Sequence, residues 1–274
     1  MKKKTIIFLI MSILILSIAG GVVAQNLRQD NVKQDGVKNQ IIEFQSDKVK
    51  IEKAKEEIEK FSGYSSANLE YKKTQKTPDG NVLHFGSKDL YYTVNEDGQV
   101  IGEYHTSQSW KSDVILNDAE ALEKASAHAD QKYASMKSKN MKILNQGMID
   151  RGDHKEYWYF WREEKDGILT PNYVSIVLNP YCGEIASYNC RDIGDIFIPN
   201  VNLSKDDAIT IAKEKHPYAR SIKADLDIWL TREGAPLLRW TVAVSLPDRA
   251  DGTAHGLTYM INAETGEVYE VTGY

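Results

Sequence analysis

The side chains that could do chemistry are few and dispersed. Six histidines, His84, His105, His128, His154, His216 and His255, stand apart along 274 residues. No H-E-x-x-H and no helical i, i+4 pair of histidines occurs, so the sequence offers no zinc-binding motif. Asp153, His154 and Glu156 are close enough to form a carboxylate-oriented base, but a solvated polar turn accounts for the same residues. There is no G-x-S-x-G elbow and no glycine-rich phosphate loop. Pro247-Asp248-Arg249-Ala250-Asp251-Gly252 lacks the alternating oxygen ligands and terminal glutamate of a calcium loop, and reads as a hairpin connection. No catalytic residue, metal site or cofactor is expected, and an enzyme ranks last among the readings.

Two cysteines complete the reactive inventory. Cys182 falls in a turn and Cys190 lies eight residues further along an extended segment. At about 3.3 Å per residue they stand about 26 Å apart, beyond the roughly 7 Å Cα limit of a disulfide. Two free thiols are expected. A redox or nucleophilic pair would want a C-x-x-C spacing and a nearby base, neither of which is present.

The strongest candidate for binding is aromatic. In Tyr157-Trp158-Tyr159-Phe160-Trp161, Tyr157, Tyr159 and Trp161 fall on one face of a strand and Trp158 and Phe160 on the other. One set fills a core. The other must be covered by a neighbouring repeat, by loops or by a partner, because a monomer seldom exposes such a patch. Trp158 and Phe160 are therefore candidate peptide- or glycan-binding residues, with Trp229, beside Asp225 and Asp227, as a smaller anchor. Contact between repeats is the competing reading for all three.

These residues are carried by a repeated unit. Asn95-Glu-Asp-Gly98, Asn179-Pro-Tyr-Cys-Gly183 and Asn262-Ala-Glu-Thr-Gly266 place three glycines 85 and 83 residues apart. Ahead of the last, Ser204 caps a helix that ends at Pro217, and Asn117 with Glu120 forms a capping box ahead of the second. Alternation of apolar and polar residues, as in Trp240, Val242, Val244 and Leu246, marks the strands. The fold class is α+β, with tandem modules that each pack one N-terminal helix on an antiparallel four-stranded meander. The repeats span 46–106 (the most degraded), 116–191 and 203–272, after a flexible stalk at 25–45. Edge strands of such sheets could accept an extended peptide.

The amino terminus sets the compartment. Lys2, Lys3 and Lys4 precede an almost wholly apolar stretch from Ile6 to Ala24, with Val22-Val23-Ala24 as a small-residue cleavage site. Its length also approaches the roughly 20 residues needed to cross a bilayer, so residues 1–24 are a signal peptide or an uncleaved anchor. Both readings place the remainder outside the cytoplasm, either secreted or held to the membrane through residues 5–24. Without Lys2, Lys3 and Lys4 the exported part keeps 31 basic against 39 acidic residues, a formal charge of −8. Such a surface disfavours nucleic acid as a partner.

The Leu203-Ser204-x-x-x-Ala208 helix start and the Tyr259-Met-Ile-Asn-Ala-Glu-Thr-Gly-Glu-Val268 ending resemble the PepSY domain of exported bacterial proteins and protease propeptides. Trp158-Tyr-Phe-Trp-Arg162, Asp166-Gly-Ile168, Val174-Ser-Ile-Val-Leu-Asn179 and Gly183-Glu-Ile-Ala-Ser-Tyr-Asn189 resemble the YcdB/YcdC-type repeat of the same superfamily. The resemblance covers repeats two and three, repeat one less fully, and not the stalk. It implies small non-catalytic modules that bind or restrain peptidases. Since the chain ends at Tyr274, soon after the last motif, the expected action is in trans, on an extracytoplasmic peptidase or cell-wall hydrolase. The alternative is a structural or ligand-binding envelope module with no peptidase target. Fold-level likeness alone does not assign function.

Overall fold

A computed structural model describes residues 34–110, 113–198, 200–231, 233–249, 253 and 255–273, with side chains from residue 48 onward. The expected leader at 1–24, the first part of the stalk, and Asp251 and Gly252 lie outside the described residues. No described helix is long and apolar enough to cross a membrane.

Three α-helices and twelve strands are defined among the described residues. The helices are α1 (Gln34–Ser62), α2 (Asp118–Lys132) and α3 (Lys205–Lys215). Strands β1 (Glu70–Thr77), β2 (Gly80–Gly86), β3 (Leu90–Asn95) and β4 (Val100–His105) follow α1. Strands β5 (Met141–Asp150), β6 (Lys155–Lys165), β7 (Ile168–Leu178) and β8 (Ile185–Arg191) follow α2. Strands β9 (Ser221–Leu230), β10 (Pro236–Ser245), β11 (Gly256–Asn262) and β12 (Val268–Gly273) follow α3. Helix α1 starts at Gln34, well ahead of the Ser46 start read from capping, so its backbone takes in much of the segment read as a stalk.

The expected fold class, with a separate four-stranded meander for each helix, is overturned. Strands β1 to β8 make one continuous antiparallel sheet, because β4 pairs directly with β8 through Gly102 with Asn189, Glu103 with Tyr188 and Tyr104 with Ser187. Two of the anticipated modules are thus joined edge to edge. Alternation along a strand reports which face is buried and carries no information about whether its edge is free. Gly102 makes the junction possible: a Cβ there would overlap Thr93 Oγ1 on one side and come within 3.3 Å of Asn189 Oδ1 on the other.

What recurs is the turn that ends each strand quartet. Gly98, Gly183 and Gly266 have φ of +88°, +74° and +77°, a region open to glycine at little cost. Each glycine N–H donates to the carbonyl of the preceding asparagine, Asn95, Asn179 or Asn262, at 3.0, 2.8 and 2.9 Å. A register shift falls just before each asparagine, at Thr93/Val94, Val177/Leu178 and Met260/Ile261. The bulge is therefore built three times, closed by a turn that spans three residues from Asn95 to Gly98 and four from Asn179 to Gly183 and from Asn262 to Gly266.

Among the described residues, the compact unit formed by 34–196 and 230–236 holds two apolar cores. In one, Ala54 and Ile58 of α1 pack with Phe85, Tyr92, Val94 and Val100. In the other, Ala121, Ala125 and Ala129 line one side of α2 at a four-residue period, against Tyr157, Tyr159 and Trp161. Methyl side chains on the helix leave room for three large rings on β6, where Tyr157 and Tyr159 stack at 6.2 Å and Tyr159 and Trp161 at 5.9 Å. The Asn117 side chain accepts from Ala119 and Glu120, and Glu120 accepts from the Asn117 N–H, so α2 starts with the anticipated capping box.

The other unit holds residues 197–229 and 237–273 among those described. Ser204 caps α3 and shares a capping box with Asp207. Ala208 and Ala212 of α3 and Val242, Val244 and Ile261 of the strands are fully buried there.

Candidate functional site

The seam between β4 and β8 gathers residues that the sequence holds far apart. Glu103 occupies the middle of β4, flanked in register by Tyr92 of β3 and Tyr188 of β8. His105, two residues on, shares its face of the strand. Helix α2 brings His128 and Lys132 over that face, and the end of α1 brings Phe61 and Ser62. The result is a cavity of about 330 Å³ with Glu103, His105, Gln108, His128 and Lys132 on its walls.

Glu103 is buried and its carboxylate is held from two sides. Tyr92 Oη donates to Oε1 at 3.1 Å, and His105 Nε2 stands 3.2 Å from the same oxygen. His128 Nε2 is 4.0 Å from the other oxygen, Oε2. Burial would raise the Glu103 pKa, but the His105 hydrogen bond and charge, the Tyr92 hydroxyl and His128 outweigh it, and the net shift is downward. Burial is the first cause of a depressed pKa at His128, ahead of the opposing pull of Glu103, so the neutral imidazole is favoured.

Two polar atoms of these residues make no hydrogen bond. His128 Nε2 and Gln108 Oε1 are buried and meet no hydrogen-bond partner among the described residues. Gln108 Nε2 donates to the Ile185 carbonyl at 2.8 Å, which fixes the amide so that Oε1 can only accept. Lys132 Nζ donates to the Phe61 carbonyl and lies 4.5 Å above the Phe61 ring. Buried unpaired polar groups are rare and costly, and both residues belong to the set around this cavity. Among the described residues no three His, Cys, Asp or Glu side chains are disposed to hold a metal ion.

The sequence did not point to this cluster. A search for histidine pairs at helical spacing passes over Glu103 and His105, whose i, i+2 spacing is that of one face of a strand. His128, three residues after Ala125 on the buried side of α2, was the remaining signal.

The residues singled out in the sequence lie elsewhere. Trp158 and Phe160 are 6% and 9% exposed, on the face of β6 opposite the α2 core. Trp158 Nε1 donates to Ser175 Oγ at 2.9 Å, and Phe160 packs against Tyr173 at 5.6 Å. Trp229, half-buried in the other unit, carries the Arg239 guanidinium 4.4 Å above its ring. Arg239 in turn bonds Asp227 at 2.8 Å, both being buried. Cys182 is exposed and Cys190 buried, and both are free thiols.

The Asp153, His154 and Glu156 group does assemble. His154 Nδ1 stands 2.8 Å from Asp153 Oδ1, with Nε2 3.8 Å from Glu156 Oε2. The His154 ring packs 4.6 Å from Trp110, and the Glu156 carboxylate is bonded by Arg151. In the loop after β10, Asp248 pairs with Arg220 at 2.9 Å.

No protein-family model matches the chain, and no curated protein matches it. Among solved structures the chain is similar to the Bacillus megaterium YpeB C-terminal domain, at 14% identity and a TM-score of 0.47, over 80% of this chain and 95% of that one.

Proposed function

We propose that this chain is a non-catalytic exported protein of the PepSY type that binds an extracytoplasmic peptidase or cell-wall hydrolase and restrains it in trans. The observation that carries the reading is the open edge of β1. Among the described residues this strand pairs only with β2, and it is exposed from Glu70 to Lys76 apart from the half-buried Gln75. Its outer N–H and C=O groups are available to an extended segment of a partner. Lys72, Lys73 and Lys76 against a single Glu70 favour an acidic strand and disfavour pairing of two such edges. The leader-like residues 1–24 and the PepSY-type motifs support the compartment and the target class.

The test is capture from an envelope fraction followed by purification of the captured hydrolase. Its rate falls on adding stoichiometric chain and recovers with the Lys72→Glu, Lys73→Glu double variant. A captured enzyme that keeps its full rate at saturating chain overturns the reading.

A second reading, an envelope module that binds a small ligand or peptide without a peptidase target, is favoured by the polar-lined cavity of about 330 Å³ beside Glu103.

A further inference from the structure

Strand β1 bears four charged side chains, and they divide into a matched pair and an unmatched one. Lys72 donates to Glu70 at 2.6 Å. Asp79, in the turn that follows the strand, is held by Arg191 at 2.7 Å. Among the described residues Lys73 and Lys76 join no ion pair, and both are exposed. The uncompensated charge of this edge is therefore those two ammonium groups.

Register fixes the side of the sheet on which each stands. Lys73 lies opposite His84 and Lys76 opposite Asn81. Directly opposed residues share a face, and successive residues of a strand alternate faces. Lys76 therefore shares the face of Thr74 and its partner Leu83, the side on which Leu83 and Phe85 pack with Ala54 and Ile58 of α1. Lys73 stands on the other face. The ladder shifts register between Tyr71 and Lys73, so the uninterrupted run before the turn extends from Lys73 to Thr77 and holds both lysines.

A strand added to this edge alternates its own side chains across the same two faces. Acids that stand opposite Lys73 and Lys76 must then be three residues apart, about 10 Å along an extended chain. A spacing of two puts both acids on one face, beside a single lysine.

We infer that the β1 edge selects an extended segment of a partner protein in which two acidic residues are spaced by three, Asp/Glu-x-x-Asp/Glu, one for each face of the sheet. This pattern rests on the reading of β1 as the docking edge and adds which sequences that edge accepts.

The probes are two peptides of identical composition. In acetyl-TVETVETV-amide the glutamates are three apart, and in acetyl-TVTEVETV-amide they are two apart. Each is titrated into the 274-residue chain with the β1 backbone amides followed by NMR. The first should bind about two- to fivefold more tightly, the worth of one exposed ion pair, and should slow solvent exchange of the outer β1 amides. Lys73→Gln and Lys76→Gln, each at an exposed position, should separately erase the difference between the peptides. Equal affinities in the parent chain, a preference that survives both variants, absence of binding, or shifts without slowed exchange along β1 overturn the inference. Restraint of a captured hydrolase is measured without these peptides. A chain that restrains its target but shows no spacing preference refutes only the pattern, and one with the preference but no restraint refutes only the function.

Discussion

Tyr92 and Glu103 face each other across the β3–β4 ladder, and the tyrosine hydroxyl donates to the glutamate carboxylate at 3.1 Å. Glu103 lies in the seam where β4 meets β8 and Tyr92 one strand from it, so a bond inside the first strand quartet supports a cavity that needs the second. Tyr92→Phe leaves the ring packing in place and removes the donor to a buried charge. A loss of about 1.5–3 kcal/mol is expected in urea unfolding, the range for hydrogen bonds to charged groups. An unchanged midpoint would show that the carboxylate is held by His105 alone.

Acid should weaken this fold at the same cluster. Glu103 has a folded pKa below its ordinary value, so its stabilisation is present above the ordinary glutamate range and is lost as pH falls through the folded value. The folded pKa of His128 is also depressed, so the unfolded chain takes up its proton first and stability drops as pH falls below about 6.5. Melting temperatures compared at neutral pH and near pH 5 should fall. The fall should be smaller in His128→Gln, which cannot be protonated.

Gly102 is the tightest point of the β4–β8 junction. Gly102→Ala forces a methyl group against Thr93 Oγ1 and toward Asn189 Oδ1, and should cost about 1–3 kcal/mol, as overpacking does. Pairing it with Thr93→Ala, which clears the nearer obstacle, should restore part of that loss. Full additivity of the two changes would count against the clash.

The buried Arg239–Asp227 pair gives a test by double-mutant cycle. Asp227→Ala leaves the guanidinium buried without its main counter-ion and should cost about 3–5 kcal/mol. Replacing both, as Asp227→Leu with Arg239→Met, should cost much less than the sum of the single changes. Trp229 packs under the same guanidinium, so its fluorescence should change in Arg239→Met.

The two thiols should differ sharply in reactivity. Burial pushes the Cys190 thiol up to about 12, whereas Cys182 is exposed. Under native conditions near pH 8, one equivalent of alkylating reagent should be taken up rapidly, at Cys182 by peptide mapping. Rapid uptake of a second equivalent without denaturant would mean that β8 opens readily.

The capping box at Asn117, the Ser204 cap, the alternating strands and the three Asn-to-Gly turns were legible in the sequence, because each depends on residues within a few positions of one another. The aromatic run on β6 was legible as a strand with two apolar faces for the same reason. The burial of Trp158 and Phe160 was not, since it depends on what packs above the strand. Nor could the join of β4 to β8 be read. Edge pairing uses backbone N–H and C=O groups, which every residue but proline has in full, so side-chain pattern leaves no record of it. The Glu103 cavity follows from that join. Local chemistry fixed the helices, strands and turns of this protein; only the tertiary structure decided that two strand quartets share one sheet, and with it that Glu103, His105 and His128 meet.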